Sequence, residues 1–345
     1  MANEKYTSRV HKIEGAIASA LPERVDSAWM SRVAGDLLEG VPSTTIDIIM
    51  RPVRELLIRG GKRWRPLVCL LSCELYGDGA RALPLSVVVE LAHNGTLVVD
   101  DIEDRSEYRR GGSSVHLLFG EDVAINAGNM LYFLPTYLID SGPYSDPEKS
   151  ALYRMYTEDM RRLHFGQGLD IQWHAEHAHR PTRGEYLQMC RLKTGSLARM
   201  AARMGVFVGG GGGERADRFG RVWEEIGVAF QIIDDVKNLT TGIPGKHRGD
   251  DIVEGKKSLP VIIASEKGGA ISARLDNCFR DAKSGGPSSP AVEEAISIME
   301  SSGGIREAEG EATQMIGRAK AEILENCPDG EAKGLLLELL SGFSD

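Results

Sequence analysis

The sequence predicts an all-α fold built as a single domain, and three observations carry that prediction. Apolar residues recur at three-and-four spacing through most of the 345 residues. Alternation of the strand type is scarce. The turn-rich breaks are short, so none of them reads as a linker between domains. Apolar residues make up 42% and charged residues 26% of the chain, a balance that supports a real core and excludes a disordered or collagen-like polymer.

Taken in order, the start "MANEKYTSRVHKIEG" lacks the apolar middle of a secretory signal. Residues 1–25 are expected to be loosely ordered within a domain spanning 1–345, and the expected location is the cytoplasm. The run "STTIDIIMRPVRELLIRG" then repeats with helical period, and "LVCLLSCEL" sets Cys69 and Cys73 one turn apart, where buried thiols are expected. After a break at "YGDGAR" (76 to 81), "LSVVVELAHNGTLVVDDIED" gives a second strong helix. Breaks follow at 140 to 150 and at "HRPTR" (179 to 183). The histidines of "HAEHAH" (His174, His177, His179) have no accompanying cysteines and read as a solvated loop. The glycines from Gly209 to Gly213 read as a surface connection between helices. "RADRFGRVWEEIGVAFQIIDDVKNL" is a third strong helix, and further breaks fall at 240 to 251 and 282 to 290. No apolar stretch is long enough for a bilayer, and the five scattered cysteines imply no disulfide framework.

Charge points to the chemistry. A net charge of -9 argues against a nucleic-acid partner, and it would repel a polyanionic substrate unless cations gather locally. In "VVDDIEDRSEYRRGG", Asp100 and Asp104 share a helical face with Asp101 beside them. Like charges at that spacing cost a helix about 0.2 to 0.5 kcal/mol per pair. Two readings are open: a solvated acidic face, or ligands for a hard cation such as Mg2+, which takes one or two carboxylates together with phosphate oxygens. A second pair, Asp234 and Asp235 in "FQIIDDVKN", favours the metal. Cations gather in glycine-marked segments: Lys62, Arg63 and Arg65 in "GGKRWRP", Arg109 and Arg110 in "RRGG", Lys193 in "KTG", and Lys246 and Lys256 further on. Arginine forks suit bidentate phosphate contact, and glycine lets backbone come close to a ligand.

The segments "GGKRWRP", "HNGTLVVDDIEDRSEYRRG", "GQGLDIQW", "KTG", "FQIIDDVKN" and "GKHRGDDIVEGKKSLP", in this order from residue 60 to 260, resemble the trans-polyprenyl diphosphate synthases. They look most like the eukaryotic-type geranylgeranyl diphosphate synthases. The resemblance implies a single-domain isoprenoid synthase bundle of helices around a deep central cavity, usually a homodimer, with two aspartate motifs facing each other at the cavity mouth. By matching positions, Asp100, Asp101, Asp104, Asp234 and Asp235 would hold three Mg2+ ions on the allylic diphosphate. Gly61, Lys62, Arg65, His93 and Arg110 match the isopentenyl diphosphate site, and Arg109, Lys193, Lys246 and Lys256 match the allylic diphosphate grip. Thr194 and Gln231 match groups that steady the developing cation. One departure is Asn238, where many relatives carry aspartate.

The implied reaction ionises an allylic diphosphate (dimethylallyl, geranyl or farnesyl), couples isopentenyl diphosphate to it, and loses a proton to the released pyrophosphate. Gly95 and Thr96 lie five and four residues before Asp100, about 6 to 7.5 Å down the helix, and both are small enough to let the chain grow past. Tyr132, Phe133 and His164 match the subgroup's cavity floor, so the expected product is the C20 geranylgeranyl diphosphate. Longer-chain or farnesyl synthases are alternatives. A class I terpene cyclase would lack the "GGKRWRP" site, and a non-catalytic partner subunit would have lost charges from motifs that are nearly complete here.

Overall fold

The computed structural model describes residues 4–175, 180–242 and 247–344. In chain order the helices are α1 (Glu4–Ala20), α2 (Ser27–Ala34), α3 (Ser43–Ile58), α4 (Trp64–Glu74) and α5 (Leu83–Glu103). A small hairpin of β1 (Tyr108–Arg109) and β2 (Gly112–Ser113) follows, then α6 (Val115–Phe119), α7 (Glu121–Phe133), α8 (Tyr137–Asp140) and α9 (Asp146–Ala175). The remainder is α10 (Arg183–Cys190), α11 (Ser196–Val206), α12 (Gly212–Leu239), α13 (Asp250–Glu254), α14 (Leu259–Glu266), α15 (Gly269–Gly285), α16 (Pro290–Ser301), α17 (Gly304–Asn326) and α18 (Glu331–Ser344). The all-α class is therefore correct, and the hairpin is the sole strand pairing among the described residues.

Local chemistry sets the helix ends. Asp26 caps α2 through the Trp29 N–H at 2.7 Å. Thr182 and Glu185 form a reciprocal capping box at the start of α10. Pro84, Pro260 and Pro290 sit in first turns, where a missing N–H costs nothing. Helix α1 occupies much of the segment expected to be loosely ordered; Ile13, Ile17 and Ala20 give it a buried face that holds it down.

Two compact units divide the chain: Met1–Glu158 with Met200–Gly220 and Pro328–Leu336, and Asp159–Arg199 with Arg221–Cys327 and Leu337–Asp345. The first is organised on α5, which packs against α1, α4 and α7. Its stretch Gly79–Glu103 is long and apolar enough to cross a bilayer, contrary to the sequence reading, but 67% of that window is buried within the protein, as in a core helix. Within the first unit, the glycine run is no loose connection. A Cβ on Gly209 would lie 2.5 Å from the Cys73 carbonyl, and one on Gly205 would lie 2.2 Å from that of Cys69. These glycines let α11 and the turn after it approach the backbone of α4. Cys69 and Cys73 are fully buried there, as their spacing predicts. In the second unit α14 packs on α10, α15 and α17, and α15 packs on α13 and α16.

Candidate active site

In the first unit, α5 delivers its carboxylates at its C-terminal end. Asp100 lies in the last turn, and Asp104 is the residue that ends the helix. Both are partly exposed, whereas Asp101, 100° further round, is fully buried. Arg109 from β1 reaches back to it, with Nε 2.7 Å from Oδ1 of Asp101 and Nη2 3.5 Å from Oδ2 of Asp100. Burial raises the Asp101 carboxyl despite this partner. Burial also opposes the Arg109 charge, but Asp101 and Asp100 hold that guanidinium above its ordinary value. Asp101 Oδ2 is buried with no hydrogen-bond partner, the kind of acceptor that a cation or an ordered water satisfies.

The cations predicted to bind the second diphosphate gather above α4 and α5 of the same unit. Arg110 and Gly111, at φ 51° and 75°, are the two central residues of the hairpin turn, which is the type I′ geometry for a two-residue loop. That turn aims Arg110 Nη1 at the Leu56 carbonyl (2.8 Å) and at Oδ1 of Asn94 (2.9 Å). A Cβ on Gly61 would come within 3.1 Å of Arg110 Nη2, so glycine keeps room for this guanidinium. Arg65 stacks over the Trp64 ring at 4.3 Å and places Nη1 3.5 Å from Nε2 of His93. Burial, and then the charges of Arg65, Arg110, Arg109 and Arg63, push the His93 imidazole well below its ordinary value. His93 is thus a neutral group among cations. Lys62 is exposed beside them. Arg63, in the same motif, is turned inward: it sits 2.6 Å from Glu14 and 2.6 Å from Glu90 and ties α1 to α5. Glu90 is a member of this site that the sequence did not disclose.

The chain-length residues divide. Gly95 is buried where α5 crosses α7; a Cβ there would lie 2.9 Å from the Gly128 carbonyl, from Leu131 Cβ and from Tyr132 Cε1. It sets the closeness of two helices and does not face open space. Thr96 donates to the His93 carbonyl at 2.7 Å. Tyr132 is buried beside Gly95, but Phe133 is 74% exposed because the next helical position points away from the core. His164 is also exposed, on α9, with Nδ1 2.9 Å from the Met160 carbonyl. Of the three residues expected at the cavity floor, Tyr132 is buried in the single chain, whereas Phe133 and His164 are exposed in it.

The second unit centres on Arg191–Gly195, a single wide π turn between α10 and α11. Wide turns of this kind concentrate at functional sites. Glycines bring neighbouring backbones up to it. A Cβ on Gly166 of α9 would lie 2.2 Å from the Lys193 nitrogen, and one on Gly227 of α12 would lie 2.7 Å from Gly195 Cα. The turn presents Lys193 and Thr194. Lys193 Nζ is 2.5 Å from Oδ2 of Asp170, and His174 Nε2 is 3.1 Å from Oδ1. Burial opposes the Asp170 charge, yet Lys193 and His174 hold its carboxyl well below the usual range. His174 therefore belongs to the last turn of α9 and is not a solvated loop residue; His177 and His179 lie outside the described residues.

Thr194 Oγ1 donates to Oε1 of Gln231 at 2.8 Å, and Gln231 Nε2 donates to Oδ1 of Asp235 at 2.9 Å. Tyr186 Oη donates to the other Asp235 oxygen at 2.6 Å. Asp235 is buried, and burial together with the nearby Asp251 charge pushes its carboxyl up to about 7. Each of its oxygens thus accepts from one protein donor. Asp234, one position earlier, is partly exposed. Asn238 is fully buried, with Oδ1 3.4 Å from the Asp251 nitrogen at the start of α13. Lys256 is paired with Asp251 at 3.3 Å and with Glu254 at 2.6 Å. Lys246 lies outside the described residues.

Among the described residues no group of three His, Cys, Asp or Glu side chains forms a ready cage for a metal. The donors present are hard carboxylate oxygens on helix faces, with Asp101 keeping one oxygen unsatisfied. Mg2+ suits such a set, because it keeps several waters and takes phosphate oxygens in place of further protein ligands.

Known proteins resemble this chain over most of its length. The sequence profile of the Polyprenyl synthetase family matches residues 46–299. The chain is 34% identical over 314 residues to a geranylgeranyl diphosphate synthase of Methanosarcina mazei, covering 90% of this chain and 93% of that protein. It is 35% identical over 312 residues to a geranylfarnesyl diphosphate synthase of Aeropyrum pernix, covering 86% and 94%. The crystal structure of geranylgeranyl pyrophosphate synthetase from Pyrococcus horikoshii superposes with a TM-score of 0.85 at 29% identity, covering 99% of this chain and 97% of that one. The chain belongs to the polyprenyl synthetase family and is a trans-prenyltransferase.

Proposed function

We propose that this enzyme condenses isopentenyl diphosphate with an allylic diphosphate, in Mg2+-dependent fashion, and releases geranylgeranyl diphosphate. The observation that carries the reading is the gathering of Arg65, His93 and Arg110, with Lys62 beside them, in the first unit. A cyclase acting on one allylic diphosphate has no use for a second anion site. The carboxylates that would hold Mg2+ are Asp100, Asp101 and Asp104 in the first unit and, separately, Asp234 in the second. When bound, Mg2+ supplies positive charge to the departing diphosphate.

The protein's own groups do the rest. Lys193 and Lys256, with Lys246, grip the allylic diphosphate, and Arg109 braces Asp100 and Asp101. Lys62, Arg65 and Arg110 hold isopentenyl diphosphate, with neutral His93 between the guanidinium groups so that no further charge repels them. Thr194 and Gln231 offer oxygen lone pairs to the developing allylic cation. The proton lost after coupling passes to the released diphosphate. Tyr132, buried at the α5–α7 crossing, limits growth at C20. We place the enzyme in the cytoplasm as a homodimer; the exposed apolar residues Leu117 and Leu118 of α6 and Ile125 and Phe133 of α7 support a covered face.

The test is to incubate the purified protein with Mg2+, isopentenyl diphosphate and each of dimethylallyl, geranyl and farnesyl diphosphate, and to read product length. A C20 product is expected. A C25 or longer product would move the enzyme to the longer-chain group, and a cyclic hydrocarbon formed from the allylic substrate alone would replace the reading by a cyclase.

A further inference from the structure

The second aspartate motif presents two neighbouring carboxylates with opposite surroundings. Asp234 is partly exposed, whereas Asp235 is 5% exposed. Contrast Asp101 in the first motif, which is buried but keeps one oxygen without a partner. At Asp235 each oxygen already has a protein donor, since Tyr186 donates to Oδ2 at 2.6 Å and Gln231 donates to Oδ1 at 2.9 Å. Tyr186 is itself 1% exposed, so this hydrogen bond lies inside the core, where a lost partner is expensive.

The chemistry of Gln231 gives this arrangement a consequence. An amide has one donating end and one accepting end. Gln231 turns Nε2 to Oδ1 of Asp235 and Oε1 to Thr194. The Thr194 hydroxyl donates to Oε1 at 2.8 Å, which leaves its own lone pairs for another partner. Gln231 and Asp235 are one turn apart on α12, and Gly195 with Gly227 locks the Thr194 turn against that helix. The chain Tyr186–Asp235–Gln231–Thr194 is thus hydrogen-bonded link by link.

We propose that Asp235 is a positioning residue and not a metal ligand: held by Tyr186, it fixes the Gln231 amide and through it the Thr194 hydroxyl, so that their oxygens are aligned toward the allylic cation. This rests on the prenyl-transfer reading above.

The experiment compares Asp235→Asn, Tyr186→Phe, Gln231→Ala and Asp234→Asn in the full chain by steady-state condensation kinetics with a Mg2+ titration. Asp235→Asn is expected to lower kcat by about 10- to 100-fold, with the Mg2+ concentration at half-maximal rate unchanged within about twofold. Asp234→Asn should instead shift the Mg2+ titration upward by about tenfold or more. Because Asp235 acts through Gln231, adding Asp235→Asn to Gln231→Ala should lower kcat by less than about twofold further. Tyr186→Phe keeps the ring packing and should lower kcat by about 3- to 10-fold, again without moving the Mg2+ titration; it serves if Asp235→Asn does not fold. A Mg2+ shift in Asp235→Asn or Tyr186→Phe, or costs that add fully to Gln231→Ala, would overturn the proposal. A wild type that condenses none of the allylic diphosphates would overturn the underlying reading, and the proposal with it.

Discussion

Asp170 ties down Lys193 across 2.5 Å and so decides where this ammonium group can point. A lysine side chain carries about 2 kcal/mol of rotamer entropy, and a fixed carboxylate removes much of that cost from diphosphate binding. Asp170→Asn keeps the volume and withdraws the charge. It should raise KM for the allylic diphosphate by about tenfold and leave KM for isopentenyl diphosphate unchanged in steady-state assays. His93 makes a different prediction. Its folded imidazole is held neutral, so below the unfolded value of about 6.5 unfolding takes up a proton, and stability falls as pH drops by about 1.4 kcal/mol per pH unit from this group. His93→Gln should flatten the acid limb of a denaturation series below that pH; parallel curves would contradict the assignment. All the aspartate positions were readable from their spacing, but their orientations were not. Neighbours on a helix point 100° apart, so one of each pair must turn inward. What meets it there, Arg109 for Asp101 and Tyr186 for Asp235, comes from elsewhere in the chain and leaves no mark beside the motif.

At the scale of elements, the π turn at Arg191–Gly195 works because three glycines allow backbone to touch backbone. Gly166→Ala would set a Cβ 2.2 Å from the Lys193 nitrogen. It should cost about 1 to 3 kcal/mol of stability and also raise KM for the allylic diphosphate, because the turn carries Lys193 and Thr194. Gly205→Ala makes an equally tight clash, with the Cys69 carbonyl in the first unit. It should destabilise by a similar amount in thermal denaturation while KM is retained, and a matching rise in KM would show that the first effect is not local. The long helices were legible because each keeps an apolar face over many turns, as α5 and α12 do. The hairpin was not, since two-residue strands cannot show alternation, and α1 was missed because only Ile13, Ile17 and Ala20 mark its buried side.

For the whole molecule, a chain of net charge -9 handles two polyanions by collecting its cations beside carboxylates that hold them in register. Four of its five boundaries between compact units, at 158, 199, 220 and 336, fall inside helices, and the fifth, at 327, falls in the short turn between α17 and α18, so the sequence has no long linker to announce them. Product length is the property in which the whole chain is read out. Tyr132→Ala should yield products longer than C20, because Tyr132 is buried against Gly95 where α5 crosses α7; chromatography of the dephosphorylated products reads this directly. The measurement closest to the central claim, that the clustered carboxylates serve a magnesium-bound diphosphate, is calorimetric binding of a non-ionising farnesyl thiodiphosphate to the wild type, in Mg2+ and in EDTA. Affinity should fall by about 100-fold or more when the metal is removed. Equal affinity in EDTA would contradict it, for then the aspartates would be holding the fold and not the substrate.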